Sequence, residues 1–343
     1  MAISNDLLSS TLYSIRDGEV DELYKKVAFL DGVKKAGGVE VEKGGIKIQR
    51  PLSIQEHSTI TQLATGYEPV SLAVNDVLRP AVYDWSDFVA PIVLTKREEL
   101  ENSGEYAIVK ILEARMKSVM GMLRRELNKQ VLKGNSTVLT SLNTLNGDSA
   151  GIGSATGFLE PLAAGTQGNT VGGISKATFA TTPGWQNQFV NMLGGGLGTG
   201  LGPFYDAYIA ANSVAPMGDV DHLIMSNALL AAYRSELFAQ ERFIDTKTLD
   251  GGRMGLAFNG ALAEQDPEMG LASPTPFTCS VAGGVEAYML NYDGIKLIFH
   301  NDADFAVSPF EYVSGTTARA AQLYVKVQLV ADFLGGQGVM INL

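Results

Sequence analysis

The chain has 343 residues, 45% of them hydrophobic and 18% charged, enough for one large domain or two to three modest ones around a sizeable core. Its net charge of −11 argues against a broadly basic nucleic-acid binder, whose affinity comes largely from Lys and Arg on phosphates, but leaves room for one basic surface. Cys279 is the only cysteine, which excludes an intramolecular disulfide and a cysteine-rich zinc site and fits synthesis in a reducing cytoplasm.

The start, Met1 to Asp6, lacks the basic residues and apolar run of a signal peptide. No stretch of about 18 apolar residues predicts a membrane span. Residues 5–30 read as a short amphipathic helix, with Leu7, Leu8, Leu12, Ile15, Leu23, Val27 and Leu30 at helical spacing and a break near Gly18. Residues 39–50 read as a tight hairpin. Val39 and Val41 alternate with Glu40 and Glu42, Gly44-Gly45 supplies the turn, and Ile46 and Ile48 alternate with Lys47 and Gln49. Pro51 is expected to stop that pairing. Strand and turn signals continue over residues 52–95, with few apolar clusters, so this stretch is expected to pack on something else.

A single long helix is predicted over residues 103–133. Ile108, Leu112, Met116, Val119, Leu123, Leu127 and Val131 step by three or four and form one stripe. Asn102 is the expected N-cap, with Glu105 completing a capping box. Glu98, Glu99, Glu101 and Glu105 gather before and at its start, and Arg124, Arg125, Lys129 and Lys133 towards its end, both favourable to the helix dipole. Between Tyr106 and Lys133, Lys110, Arg115 and Lys117 add to those four bases, against Glu113 and Glu126 alone, which gives +5 in an acidic chain. Such a face is either solvated or meets an acidic partner, DNA included.

Residues 134–180 are rich in Ser, Thr and Gly. Residues 185–194 and 204–215 have helical character, 221–226 form a short apolar strand, and Ser226-Asn227 starts a helix over 228–240. Strand, turn and strand follow over 285–300, with the turn at Asn291 to Gly294, and 305–343 read as strands interrupted at Gly335 to Gly338.

Little points to catalysis. The glycine run from Gly194 to Gly202 lacks the Gly-Lys-Ser/Thr ending of a phosphate loop and follows a helix-like segment, so a loop is the better reading than a nucleotide site. His57, His222 and His300 are far apart, and His300, Asp302 and Asp304 read as an ordinary turn before they read as a cation site. No nucleophile elbow occurs, and Cys279 reads as a small buried apolar residue. No cofactor, metal or catalytic residue is expected.

Several stretches, in order, resemble the major capsid proteins of tailed bacteriophages of the Hong Kong 97 type. They are Gly66-Tyr67 through Asp76, Leu78, Tyr83-Asp84-Trp85, Pro91 and Asn102-Ser103-Gly104 into the long helix; Thr182 to Asn187; Asp221 to Ser226 with Tyr233; Arg242-Phe243; and the close from Gln337 to Leu343. The resemblance covers about residues 30–343 and rests on order and spacing.

It implies an α+β fold with an N-terminal arm (1–30), an extended hairpin called the E-loop (31–95), a peripheral domain (96–150 and 300–343) whose spine is the 103–133 helix, and an axial α/β domain (151–299). It implies a structural protein, not an enzyme, that self-assembles through hexamers and pentamers into an icosahedral head shell around double-stranded DNA. It would be made in the host cytoplasm and end in the virion, without a membrane. Lys43, Gly44, Gly45 and Lys47 would then lie on the E-loop where it contacts a neighbouring copy, and Arg124, Arg125, Lys129 and Lys133 on an inner basic face. Some relatives cross-link an E-loop lysine, but nothing marks Lys43 or Lys47 as reactive. Some begin with a long scaffolding region, whereas the resemblance here starts within about 30 residues, so a separate scaffolding protein is expected, with a portal and a possible decoration protein. A cellular encapsulin-like shell and a soluble α/β nucleotide-binding enzyme remain as alternatives.

Overall fold

The computed structural model describes residues 27–53, 62, 64, 66, 78–101, 105–133, 139–142, 145, 170–178, 185–191, 202–214, 219–227, 229–231, 233–234, 246–248, 254–266, 269 and 284–342. In chain order, helix α1 (Ala28–Lys35) precedes strands β1 (Val39–Glu42), β2 (Lys47–Ser53), β3 (Leu78–Asp84) and β4 (Ser86–Thr95). Helices α2 (Lys96–Glu101) and α3 (Glu105–Lys133) follow, then β5 (Thr170–Val171), β6 (Ile174–Ser175), β7 (Gln188–Asn191) and helix α4 (Gly202–Val214). The rest is β8 (His222–Met225), β9 (Thr246–Thr248), β10 (Met254–Phe258), β11 (Ala261–Gln265), β12 (Gly284–Leu290), β13 (Ile295–His300), β14 (Ala306–Val307), β15 (Glu311–Tyr312), β16 (Ala318–Ala331) and β17 (Gly338–Asn342).

Two sheets organise the chain. In the six-stranded sheet, β16 is the axis: β4 runs antiparallel along one edge from Thr95↔Ala318 to Ser86↔Val327. Its other edge is taken in turn by β13, β14 and β15, and β1 adds parallel to β13. Arg319, Ala321, Leu323, Val325 and Val327 of β16 are buried and alternate with less buried neighbours, as a period of two requires. From Gln328 to Ala331 every residue is buried, because both faces of the sheet are covered there. The seven-stranded sheet runs β7-β17-β12-β8-β11-β10-β9. Its strands divide their residues between two cores. Ile224, Tyr288, Leu290 and Val339 join the main core with α1, α3 and the six-stranded sheet. Leu223, Met225, Ala287, Met289 and Met340 face a second core with Tyr205 and Tyr208 of α4.

The long helix spans 29 residues, or about 43 Å at the usual rise. Leu112, Met116, Leu123, Leu127 and Val131 of the predicted stripe are buried, and Val119 packs against the same core. The side chain of Ile108 lies outside the described residues, as do Asn102 and most of the predicted 5–30 helix. The capping box that is described sits earlier, at the start of α2. Thr95 Oγ1 accepts from Glu98 N at 3.4 Å, and Glu98 Oε2 accepts from Thr95 N at 3.1 Å.

Several expectations are corrected. The tight hairpin over 39–50 does not form: β1 pairs with β13 at Val39↔Leu297, and β2 pairs with β3 from Lys47↔Asp84 to Ser53↔Leu78. Gly44 and Gly45 have φ of 79° and 110°, and they redirect the chain from one partner to the other instead of closing a turn. Pro51 lies inside β2, opposite Pro80. A two-stranded ribbon leaves each strand a free outer edge where a missing N–H breaks no ladder bond. Residues 188–191 are strand, not helix, because they extend the sheet parallel to β17. The segments flanking Asn291 to Gly294 are strands as expected, but β12 belongs to one sheet and β13 to the other, so the turn is a change of sheet. Strand β13 lies in the six-stranded sheet, and β17 joins the seven-stranded one.

Candidate inter-subunit surfaces

The β2/β3 ribbon is anchored at its base on one face. Ile48, Leu52, Ala81 and Tyr83 are buried there, while Lys47, Gln49, Leu78 and Asp84 are exposed. Val82 N donates to Gly172 O at 2.8 Å. Gly172, at φ 58°, lies so close to Tyr83 and Ala81 that a Cβ would stand 2.9–3.0 Å from them. Tyr83 donates its hydroxyl to Ala331 O at 3.2 Å, and burial pushes that phenol well above its ordinary range. Gln328 donates to Asp84 O and accepts from Thr140 N at 2.9 Å.

The predicted contact residues sit at this base. Trp85 Nε1 donates to Gly45 O at 3.0 Å, and the Trp85 ring meets His300 edge-on at 5.5 Å. Lys43 and Gly44 are exposed, Lys47 pairs with Asp84 at 3.0 Å on the surface, and Ile46 is 93% exposed. An ion cluster that sequence reasoning missed lies beside them. Arg50 bonds Glu40 and lies 3.8 Å from Glu42; Lys296 Nζ is 2.6 Å from Glu40 and 3.8 Å from Asp332. Burial would raise the Glu40 carboxyl, but hydrogen bonds from Lys296 and Arg50 hold it below its ordinary value. For Asp332 burial prevails, and its carboxyl is pushed up. The four segments involved are too far apart in sequence for any spacing rule to reveal the cluster.

On α3, Arg124 and Lys129 are half-buried and Arg125 is exposed, with Glu126 beside them and Met122 73% exposed. The Lys133 side chain lies outside the described residues. Arg115 is committed elsewhere, bonding Val93 O and Glu98 and so tying the helix to β4. Further apolar surface comes from Val89 and Val93 on the outward face of β4, Ile209 on α4, and Tyr312 and Val313. Arg319 stacks on Tyr312 at 4.8 Å and donates to its hydroxyl at 2.7 Å.

Residues 194–201 of the glycine run, with His57 and Cys279, lie outside the described residues. His300 Nδ1 accepts from Asp302 N at 3.2 Å, so that nitrogen serves the turn. Among the described residues no group of three or more His, Cys, Asp or Glu is placed to hold a metal ion. No helix there is long and apolar enough to cross a membrane.

No family model and no curated protein matches the chain by sequence. Solved structures do match by shape. The cyanophage A-1(L) capsid shares 14% identity at a TM-score of 0.57, over 88% of this chain and 89% of that one. The capsid of an empty GTA particle shares 10% identity at 0.55, over 90% and 88%. The fold is that of phage capsid shell proteins. The holo-SrpI encapsulin from Synechococcus elongatus PCC 7942 has it too, with 10% identity and a TM-score of 0.50 over 90% and 86%. At these identities the likeness speaks for the fold alone. Among the described residues the architecture is mixed α+β, with a six-stranded and a seven-stranded sheet beside two two-stranded ribbons, in keeping with that fold.

Proposed function

We propose that this chain is the major shell subunit of a tailed-phage head, self-assembling through hexamers and pentamers around double-stranded DNA. The observation that carries the reading is the match to capsid shells over about nine tenths of both chains. The mechanism is binding, not catalysis: one chain repeats the same interfaces many times, so each contact can be weak while the closed shell is stable. In this reading the β2/β3 ribbon with residues 54–77 is the E-loop, which lies over a neighbour with Lys43, Gly44, Gly45 and Lys47 near its base. Helix α3 is the spine and, with the six-stranded sheet, forms the peripheral domain. The seven-stranded sheet, β17 included, forms the axial domain, and residues 1–26 lead in as the arm. Arg124, Arg125, Lys129 and Lys133 face inward to the packaged DNA. A separate scaffolding protein and a portal complete the head, assembled in the host cytoplasm, and a decoration protein is compatible with it.

Sedimentation velocity and negative-stain microscopy of the full chain, expressed alone and with a scaffold, test this. Closed particles are expected. A clean 36.5 kDa monomer under both conditions would overturn it. Replacing residues 54–77 by a short Gly/Ser turn is expected to leave a folded protomer that forms no shells. A cellular shell enclosing an enzyme is the second reading, supported by the encapsulin likeness. Particles that hold protein cargo and no DNA would favour it.

A further inference from the structure

The ion cluster under the ribbon is unevenly matched. Three carboxylates (Glu40, Glu42, Asp332) face two cations (Arg50, Lys296), all of them half-buried. Arg50 gives its Nη2 to Glu40, while its buried Nε meets no acceptor. Asp332 Oδ1 is also buried and meets no donor. Such orphaned groups each forgo a hydrogen bond that folding normally secures. Both belong to one cluster, and the Arg50 and Asp332 charges act on each other.

The two residues also sit on opposite sides of a joint. Arg50 rides on the ribbon, paired across it with Ala81. Asp332 belongs to the body, one residue beyond Ala331, whose N and O both meet the Tyr83 hydroxyl of the ribbon at 3.4 and 3.2 Å. Tyr83–Ala331 thus holds the ribbon to the body one residue before Asp332.

We infer that Arg50 is a latch with two carboxylate seats, Glu40 as observed here and Asp332 after a small rotation of the ribbon about Tyr83–Ala331. Lys296 bridges both seats and stays within reach of either. Each seat leaves one carboxylate short of a cation, which is why both positions are accessible and neither is perfect. A proton on Asp332 closes the second seat and leaves two carboxylates for two cations. The groups that act on Asp332 are Glu40 from β1, Arg50 and Tyr83 from the ribbon, and Lys296 from β13. Because burial raises the Asp332 carboxyl, the protonated form is reached on acidification before an ordinary aspartate would reach it.

The inference stands apart from the shell reading, because it is tested on the dissociated full chain whether or not particles form. Amide exchange of residues 47–53 and 78–84 is followed in wild type, Asp332→Asn, Glu40→Gln and the double variant, with the β13/β16 ladder as internal reference. In the wild-type background Asp332→Asn removes the competing seat, so ribbon exchange is expected to slow by about five-fold, the effect of one coupled charged contact. In the Glu40→Gln background Asp332 is the remaining strong seat, and the same substitution is expected to speed exchange by a similar factor. This reversal of sign is what a single fixed ion pair cannot produce. The same sign in both backgrounds, or no effect in either, overturns the latch. If Glu40→Gln loses the reference ladder, pH decides on wild type and Asp332→Asn alone. Their difference, corrected for intrinsic exchange, must vanish as Asp332 becomes protonated in acid, and a difference that persists there is equally fatal.

Discussion

Gln328 offers a quantitative test of how the ribbon is joined to the body. It is 3% exposed and spends both ends of its amide on backbone: Nε2 on Asp84 O, Oε1 on Thr140 N at 2.9 Å. Gln328→Leu keeps the volume and removes both of these bonds to other segments, along with the one that Oε1 accepts from the adjacent Leu329 N at 2.9 Å. A buried group left without its partner costs about 1–3 kcal/mol. Both positions are only part-buried, so water restores some of the loss and the lower end applies, about 1 kcal/mol each and about 2 kcal/mol together. Urea unfolding of the dissociated chain measures it, read as a shift in midpoint at constant slope. Gln322→Leu is the control, since that side chain is exposed on the same strand, and it should stay within about 0.5 kcal/mol of wild type. If Gln328→Leu is also within that margin, the two bonds contribute nothing and ribbon placement rests on apolar packing alone.

Thr95→Ala removes the cap of α2 and should destabilise by about 1 kcal/mol in the same assay. Its bonds to Glu98, the side-chain bond first, hold that carboxyl below its ordinary 4.5, so the contribution is present above the unfolded value and is lost as pH falls through the lower folded one; a loss that is constant down to the acid range would refute this. Gly32→Ala would drive a methyl group into the Tyr292 hydroxyl, and overpacking of this kind should cost about 1–3 kcal/mol by thermal or urea unfolding. Arg124, Arg125 and Lys129 changed together to Glu should leave folding intact and reduce DNA retained in particles, measured by nuclease-protected nucleic acid; unchanged retention would remove the inner-face assignment.

How much of this was legible in the sequence depended on range. Helix α3 was, because apolar positions at steps of three and four are a local signal, and the six of them whose side chains are described pack on the main core. Strand tendency was legible at Val39–Glu42 and from Lys47 onward, but partnership was not. Alternation reveals which face a strand buries, not which strand lies beside it, and the partner of Val39 is Leu297. The same limit explains the turn at Asn291 to Gly294, read correctly as a turn and blind to its change of sheet. Phe189 and Val190 were misread because a four-residue run carries too little periodicity to separate strand from helix. The capping box expected at Asn102 lies outside the described residues, whereas the Thr-x-x-Glu pattern at Thr95, equally local, does form one. Trp85 was noted only as part of a motif; its hydrogen bond to Gly45 depends on a chain reversal that no local rule foresees.

The long ladder of β16 also sets when this protein can exist. Strand β4, with Ala90 opposite Leu323, has no strand partner until β16 has been made, and β1 waits for β13, which itself leans on β16. A growing or truncated chain therefore lacks the six-stranded sheet altogether, and contacts this distant in sequence form slowly. Until then the outward face of β4, with Val89 and Val93, cannot be presented in its final geometry. Synthesis thus makes the six-stranded sheet conditional on β16: a fragment that stops short of that strand presents none of its surface in final form.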